Sequence, residues 1–183
     1  MTAIAAKVDT SWIQDFRNQY EAWFGKARPL IETHQHAVAF KGYPFPSFHQ
    51  TPWTPVQQPL PGGRLGVVTT AALYRQGVDS PFADTTEGDP QIIELDRDID
   101  ARMIDTAHTH IPQEMIKEDV NVALPVDHFR ALVHERRIGS MAPRFFSING
   151  YRTRADDVAL ETAPKIAKAM VEDGVTHALI VPV

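Results

Sequence analysis

Gly174-Val175-Thr176-His177-Ala178-Leu179-Ile180-Val181-Pro182-Val183 decides the fold, because it follows a helix-patterned segment and holds the most continuous apolar run in the chain. Ala178 to Val181 leaves no polar residue for a solvated face, which predicts a central parallel strand covered on both sides. The helix before it starts at Asp156 and Asp157. It carries Ala159, Leu160, Ala163, Ile166, Ala167, Met170 and Val171 at helical spacing, and stops at Gly174. Pro164 falls inside that pattern, so the helix either starts late with Pro164 in its first turn or is kinked there. Helix, glycine stop and buried strand make the second half of a βαβ unit.

Working back toward the N-terminus, Arg144 to Ile148 reads as another strand. Val126, Phe129, Leu132 and Val133 fit a helix opened by Pro125 and Asp127, with Arg136, Arg137 and then Gly139 as its stop signals. Ile92 to Leu95 and Arg102 to Ala107 are strand candidates on either side of the acidic turn from Asp96 to Asp100. Leu65 to Val68, followed by Thr69 and Thr70, reads as a buried strand. Ahead of Gly62 and Gly63, prolines 44, 46, 52, 55, 59 and 61 exclude helix and central strand and predict an extended crossing segment. Its Tyr43, Phe45, Phe48 and Trp53 are expected to lie against a surface. Earlier still, Trp12, Phe16, Tyr20, Trp23, Phe24 and Ala27 recur at helical spacing after the capping residues Asp9, Thr10 and Ser11. They predict a helix from Ser11 to Phe24, and a second helix runs from Pro29 to Val38. The expected fold is α/β, a mostly parallel sheet with helices on both faces, preceded by a helical and Pro-rich N-terminal arm. The divisions are 1–63 for the arm and 64–183 for the α/β domain.

A chain of 183 residues with 43% hydrophobic content can bury one substantial core. Its 18 Lys and Arg against 23 Asp and Glu give a net charge of −5 with no long run of either sign, which disfavours a polyanion partner. No apolar stretch approaches the roughly 18–20 residues of a membrane span, and Met1 to Thr10 lacks the pattern of a signal peptide, so a cytoplasmic address is expected. The absence of cysteine removes disulfides, thiolate nucleophiles and Cys-ligated metals from this sequence.

His108 and His110 in Ala107-His-Thr-His110 are the sharpest local feature. In an extended segment, residues two apart share a face, where two imidazoles can meet a substrate or a metal. They are the candidate catalytic pair, and no metal site is assigned. His34 and His36 sit in the arm and are read as structural. Candidate substrate-binding residues are Thr69 and Thr70 at the end of the first strand, Asp119 and Asn121 in an Asx-rich turn, and Arg144 and Ser147 near Asn149 and Tyr151. Arg144 is cast as a carboxylate clamp. Neither a P-loop, nor a dinucleotide fingerprint, nor a Gly-x-Ser-x-Gly elbow occurs.

Six segments taken in order carry a resemblance: Arg64-Leu-Gly-Val-Val-Thr-Thr-Ala-Ala-Leu73, Gly77 to Phe82, Ala107-His-Thr-His110, Asp119-Val-Asn-Val-Ala-Leu-Pro-Val-Asp127, Arg137-Ile-Gly-Ser-Met-Ala-Pro-Arg144 and Thr176-His-Ala-Leu-Ile-Val-Pro-Val183. Together they resemble the selenoprotein B family of glycine, sarcosine, betaine and D-proline reductases, from Arg64 to Val183; the arm is not accounted for. The resemblance implies reductive C–N cleavage of a small amine or amino acid by a selenolate or thiolate, which a dithiol system regenerates. It also implies partner subunits, one of them pyruvoyl-bearing in the amino-acid reductases.

In that family the attacking selenocysteine or cysteine follows directly after a Val-Pro-Val. It is therefore expected after Val183 and is missing from this sequence, and an in-frame UGA codon read as stop would explain a truncated product. The chain by itself is then expected to be inactive, with no cofactor of its own. It is expected to bind a small amine or carboxylate and to work within a homo- or hetero-oligomer. Two other readings stand beside this one. The first is a non-catalytic binding or assembly subunit completed by another chain. The second is a metal-dependent enzyme using His108 and His110 with Asp105, Glu114 or Asp119 as a further ligand.

Overall fold

The computed structural model describes residues 9–48 and 53–183, in two compact units, Met1–Pro55 and Val56–Val183. Most of the stretch read for a signal peptide, and Pro52 of the extended segment, lie outside the described residues.

In the first unit α1 (Ile13–Glu32) buries Ile13, Phe16, Tyr20, Trp23, Ala27 and Ile31, successive members three or four residues apart on one stripe. The helix runs past its expected end at Phe24 and takes in Pro29. Gly25, which stands four residues before the proline, has open space around it, and Ala27 and Ile31 hold the helix packed on both sides of the lost hydrogen bond. The second helix is correspondingly shorter than expected. His34 adopts φ 57° and breaks the path, and α2 (His36–Ala39) follows. The Trp23 indole N–H donates to the Ala39 carbonyl at 2.8 Å, and the Tyr43 ring meets Trp23 edge-on at 4.9 Å. Phe45, Phe48 and Trp53, expected against a surface, are exposed. The proline-interrupted backbone has no regular pairing that would turn successive side chains inward.

In the second unit the sheet comprises β1 (Arg64–Thr69), β3 (Ile92–Asp96), β5 (Ser140–Met141), β6 (Arg144–Ile148) and β7 (His177–Val181). β5 and β6 are successive segments, broken at Pro143, that pair in parallel with β1. β7 pairs in parallel with β1, from Leu65↔His177 to Thr69↔Val181, and β3 pairs antiparallel with β6. A separate antiparallel pair joins β2 (Leu73–Arg75) to β4 (Ile104–Thr106). The Arg102 to Ala107 strand thus exists, in shortened form and outside the main sheet.

Side chains along β1 alternate between two cores. Leu65 and Val67 share one with Met141, Phe145 and Leu95, and with Val126 and Phe129 of α4 (Val126–His134). Val68 and Phe146 share the other with Ile166 and Met170 of α6 (Ala163–Glu172), so both faces of the sheet carry helices. Gly66 lies against α6 because a Cβ there would come within 2.9 Å of Val175 and 3.2 Å of Met170. α3 (Glu114–Glu118) adds Ile116 to the first core. Before α6, the short α5 (Ala155–Asp157) runs without a break into a π-helical turn, Val158–Thr162, and Pro164 stands directly after that turn as the second residue of α6.

Two local expectations are corrected. The stop of α4 is Arg136, at φ 59°, instead of Gly139; Gly139 serves a close approach, because a Cβ on it would lie 2.5 Å from the Gly63 carbonyl oxygen. The strand expected at the centre of the sheet, β7, is at its edge among the described residues. β1 is its neighbour, and Ile180 is 65% exposed. The expected cover on both faces is absent as well, because Ala178, Leu179 and Ile180 are all exposed: an unbroken apolar run carries no information about which strand lies alongside or what covers its faces.

Candidate active site at the carboxyl ends of the strands

Beyond Thr69 the chain leaves the sheet through Thr70, Ala71 and Ala72 and enters β2. Ala72 is fully buried and adopts φ 50°, a left-handed conformation that costs an alanine roughly 1 kcal/mol. Hydroxyls hold this loop in place. The Thr69 hydroxyl accepts from Ala71 N–H at 3.3 Å, the Ser147 hydroxyl accepts from Leu73 N–H at 2.7 Å, and the Thr106 hydroxyl donates to the Ala71 carbonyl at 2.7 Å. Thr69 and Ser147 are register partners across β1 and β6 and have no solvent exposure, so their hydroxyls shape the loop from beneath. Thr70 is more accessible. Its hydroxyl accepts from Val183 N–H at 2.9 Å, its N–H donates to the Val181 carbonyl at 3.1 Å, and its carbonyl accepts from Gly150 N–H at 2.8 Å. The Val-Pro-Val segment is thereby fastened to the carboxyl end of β1, where ligands sit in open α/β sheets.

The histidines arrive from the end of β4. His108 N–H donates to the Thr106 hydroxyl at 3.2 Å, and His108 Nδ1 accepts from His110 N–H at 3.3 Å. An accepting Nδ1 makes the neutral ring an Nε2–H tautomer. His108 is 3% exposed. Burial, with His110 second, holds its pKa below the ordinary histidine range, so it is neutral at pH 7. The segment is a turn and not extended, and the two rings stand nearly perpendicular with centroids 6.1 Å apart. His110 instead stacks on Tyr151, centroids 3.9 Å apart, with its Nε2 3.7 Å from an Asp84 carboxylate oxygen. Asn149 Oδ1 accepts from Tyr151 N–H at 3.0 Å, and the Tyr151 hydroxyl donates to the Thr86 carbonyl at 3.3 Å. Burial, with the Asp84 charge second, pushes the Tyr151 phenol up to about 12. Asp84 escaped sequence reasoning. Its one signal was position, two residues beyond the Gly77 to Phe82 segment.

The remaining candidates are dispersed. Arg144 lies at the other end of β6, and its side chain shares the α6 face with Phe146, while Ser147 faces the opposite layer. Its guanidinium donates to Asp173 and Glu94, each at 2.8 Å, which makes it a structural tie. Asp119 and Asn121 line a separate cavity of about 520 Å³ with Asp105 and Lys117. Asp119 Oδ1 accepts from Asn121 N–H at 2.9 Å, and Asn121 Oδ1 accepts from Asp127 N–H at 3.1 Å, so both residues build the start of α4. Among the described residues no three His, Asp or Glu side chains converge as metal ligands, and no helix is long and apolar enough to cross a membrane.

The family model for glycine/sarcosine/betaine reductase selenoprotein B matches residues 43–182. The chain belongs to that family. The match starts upstream of Arg64, within the extended segment, and takes in Thr70, Asp84, His108, His110 and Tyr151. A curated relative, the D-proline reductase subunit gamma of Acetoanaerobium sticklandii, is 27% identical over 128 residues, which covers 70% of this chain and 52% of the relative. This selenoprotein B family member thus spans about half the length of the curated relative it matches. No solved structure matches it.

Proposed function

We propose that this chain is the α/β part of a reductase B-type subunit, acting in reductive C–N cleavage of a small amine or amino acid. The observation that carries the reading is the family match across residues 43–182, which takes in the two histidines beyond β4 and the Val181-Pro182 segment anchored at Thr70. A thiolate or selenolate would supply the attack on the carbon that bears nitrogen, and with no cysteine in these 183 residues that group comes from outside this sequence.

The chain's own residues have two tasks in this reading. His110, with Asp84 beside its Nε2 and Tyr151 beneath its ring, gives a proton to the nitrogen that departs with the bonding electrons. His108, neutral and accepting through Nδ1, fixes the backbone that carries His110. Thr69, Thr106 and Ser147 hold the loop that presents Thr70 to a ligand.

The test is titration of the purified chain with glycine, sarcosine, betaine and D-proline, followed by NMR of the histidine ring protons. At least one of the four is expected to shift His108 and His110 together. No shift with any of them overturns the assignment of the site. With dithiothreitol present, release of ammonia, methylamine, trimethylamine or 5-aminopentanoate is expected to be absent, and turnover by the chain alone overturns the external nucleophile.

The uncovered β7 favours a second reading, that of an assembly subunit without catalysis of its own. Light scattering of the purified chain tests it. A dimer or larger species supports cover of β7 by a second copy, and a monomer across the micromolar range removes that form of assembly.

A further inference from the structure

Between β2 and β3 the chain makes a long excursion, residues 76–91, within the second unit. Phe82 is buried in the first core, and Gln91 Nε2 donates to the Ser80 carbonyl at 3.0 Å across the base of the excursion. Asp89 then closes a smaller ring. Its Oδ2 accepts from Ala83 N–H at 2.6 Å, and its Oδ1 accepts from Gln91 N–H at 2.8 Å. The stretch 83–89 is thereby a compact strap whose ends meet, and Asp84 stands on it. We propose that Asp89 is a positioning residue of the candidate site: by closing this strap it delivers Asp84 to His110. The proposal rests on the reading of His110 as proton donor.

The two limbs of the strap are held differently. The second limb is docked on residues 151–153. Thr153 N–H donates to the Glu87 carbonyl at 3.1 Å, and the Tyr151 hydroxyl donates to the Thr86 carbonyl at 3.3 Å. Gly88, at φ 82°, lies so close that a Cβ on it would overlap the Tyr151 carbonyl oxygen. The first limb carries Asp84, whose side chain is 49% exposed and lies 3.7 Å from His110 Nε2. An exposed carboxylate on a free loop does little for a neighbouring ring, because water screens it and loop entropy opposes the contact. The bond from Ala83 N–H to Asp89 removes that freedom, since it ties the residue before Asp84 to the docked limb.

The residue type fits this task. Both carboxylate oxygens of Asp89 accept, each from a different backbone N–H, whereas the amide of an asparagine would turn an NH₂ toward one of those donors. With Asp84 held at Nε2 and Tyr151 beneath the ring, the His110 imidazole is turned one way. A proton donor acts only when it is oriented toward the group that departs.

The test is nitrogen-15 NMR of the histidine rings in the full chain at neutral pH. Asp84→Asn is expected to move the His110 Nε2 resonance. Asp89→Ala should reproduce most of that shift with Asp84 intact. The double variant should move no further than Asp84→Asn alone, the non-additivity of residues that act as one unit. Asp89→Asn, and Gly88→Ala through its overlap with the Tyr151 carbonyl, open the strap by separate routes and should shift the same resonance in the same direction. A bond that merely stabilised the fold would lower the urea midpoint and leave the His110 signal in place. An unmoved signal in the Asp89 and Gly88 variants, or shifts that add in the double variant, overturns the proposal. No substrate enters the measurement, so its failure removes the role of the strap and leaves the reading of His110 to the titration with glycine, sarcosine, betaine and D-proline.

Discussion

The His110 imidazole lies on the Tyr151 phenol ring with centroids 3.9 Å apart, and Asp84 serves both, close to the histidine Nε2 and raising the tyrosine's pKa. Tyr151 is pushed to about 12, against about 10 for an unfolded chain. The folded state therefore holds the phenol proton longer. The stability tied to it is whole below about pH 10 and is lost as pH rises toward about 12. Tyr74 is raised as well, by burial and by Asp105, so absorbance titration near 295 nm should show late tyrosines, one fewer in Tyr151→Phe. Urea midpoints of that variant should fall less steeply over the same interval. Identical slopes would show that Tyr151 titrates as an exposed phenol.

His108 has the opposite sign. Its pKa is lowered in the folded protein, so the unfolded chain is the better base, and stability present above about pH 6.5 declines as the solution is acidified. His108→Asn places an oxygen where Nδ1 stood, to accept from His110 N–H, and removes the titration. The difference in urea midpoint between pH 7.5 and pH 5 should shrink in this variant. An unchanged difference would assign the acid sensitivity to other groups.

Arg144 bridges β6 to Asp173, whose side chain is 12% exposed, and to Glu94. Arg144→Met should destabilise the fold by about 1–3 kcal/mol by leaving a half-desolvated carboxylate without its partner. Adding Asp173→Asn should restore part of the loss. Ligand-induced shifts at His108 and His110 should survive the single change. Their disappearance would return Arg144 to the role of carboxylate clamp expected from sequence.

Gly139→Ala puts a methyl group 2.5 Å from the Gly63 carbonyl oxygen and 2.8 Å from that of Pro61. The backbone at that crossing has to move, at a cost of about 1–3 kcal/mol, measurable by denaturant unfolding. A neutral result would mean that the strand ends separate easily.

Periodicity made much of this fold legible. The stripe from Phe16 to Ala27, the helix around Phe129, the two-sided burial of β1 and the glycine stop at Gly174 all follow from local spacing. What stayed hidden depends on partners distant in sequence. The stack of His110 on Tyr151, the tie from Arg144 to Asp173 and the edge position of β7 are set by strand order, which residue type does not encode. Thr69 and Ser147 were each expected at a ligand, and their pairing across β1 and β6 was not legible. Small hydroxyl residues at strand ends suit a ligand and a loop equally, and here their oxygens serve the backbone.

That backbone loop has a further consequence. With Ala71 to Leu73 braced by hydroxyls from three strands, its shape is settled during folding, and a molecule arriving at Thr70 meets a surface already ordered. Association there would forfeit little chain freedom, so substitutions in the bracing threonines and serine should weaken recognition without touching the ligand, through the disorder they admit.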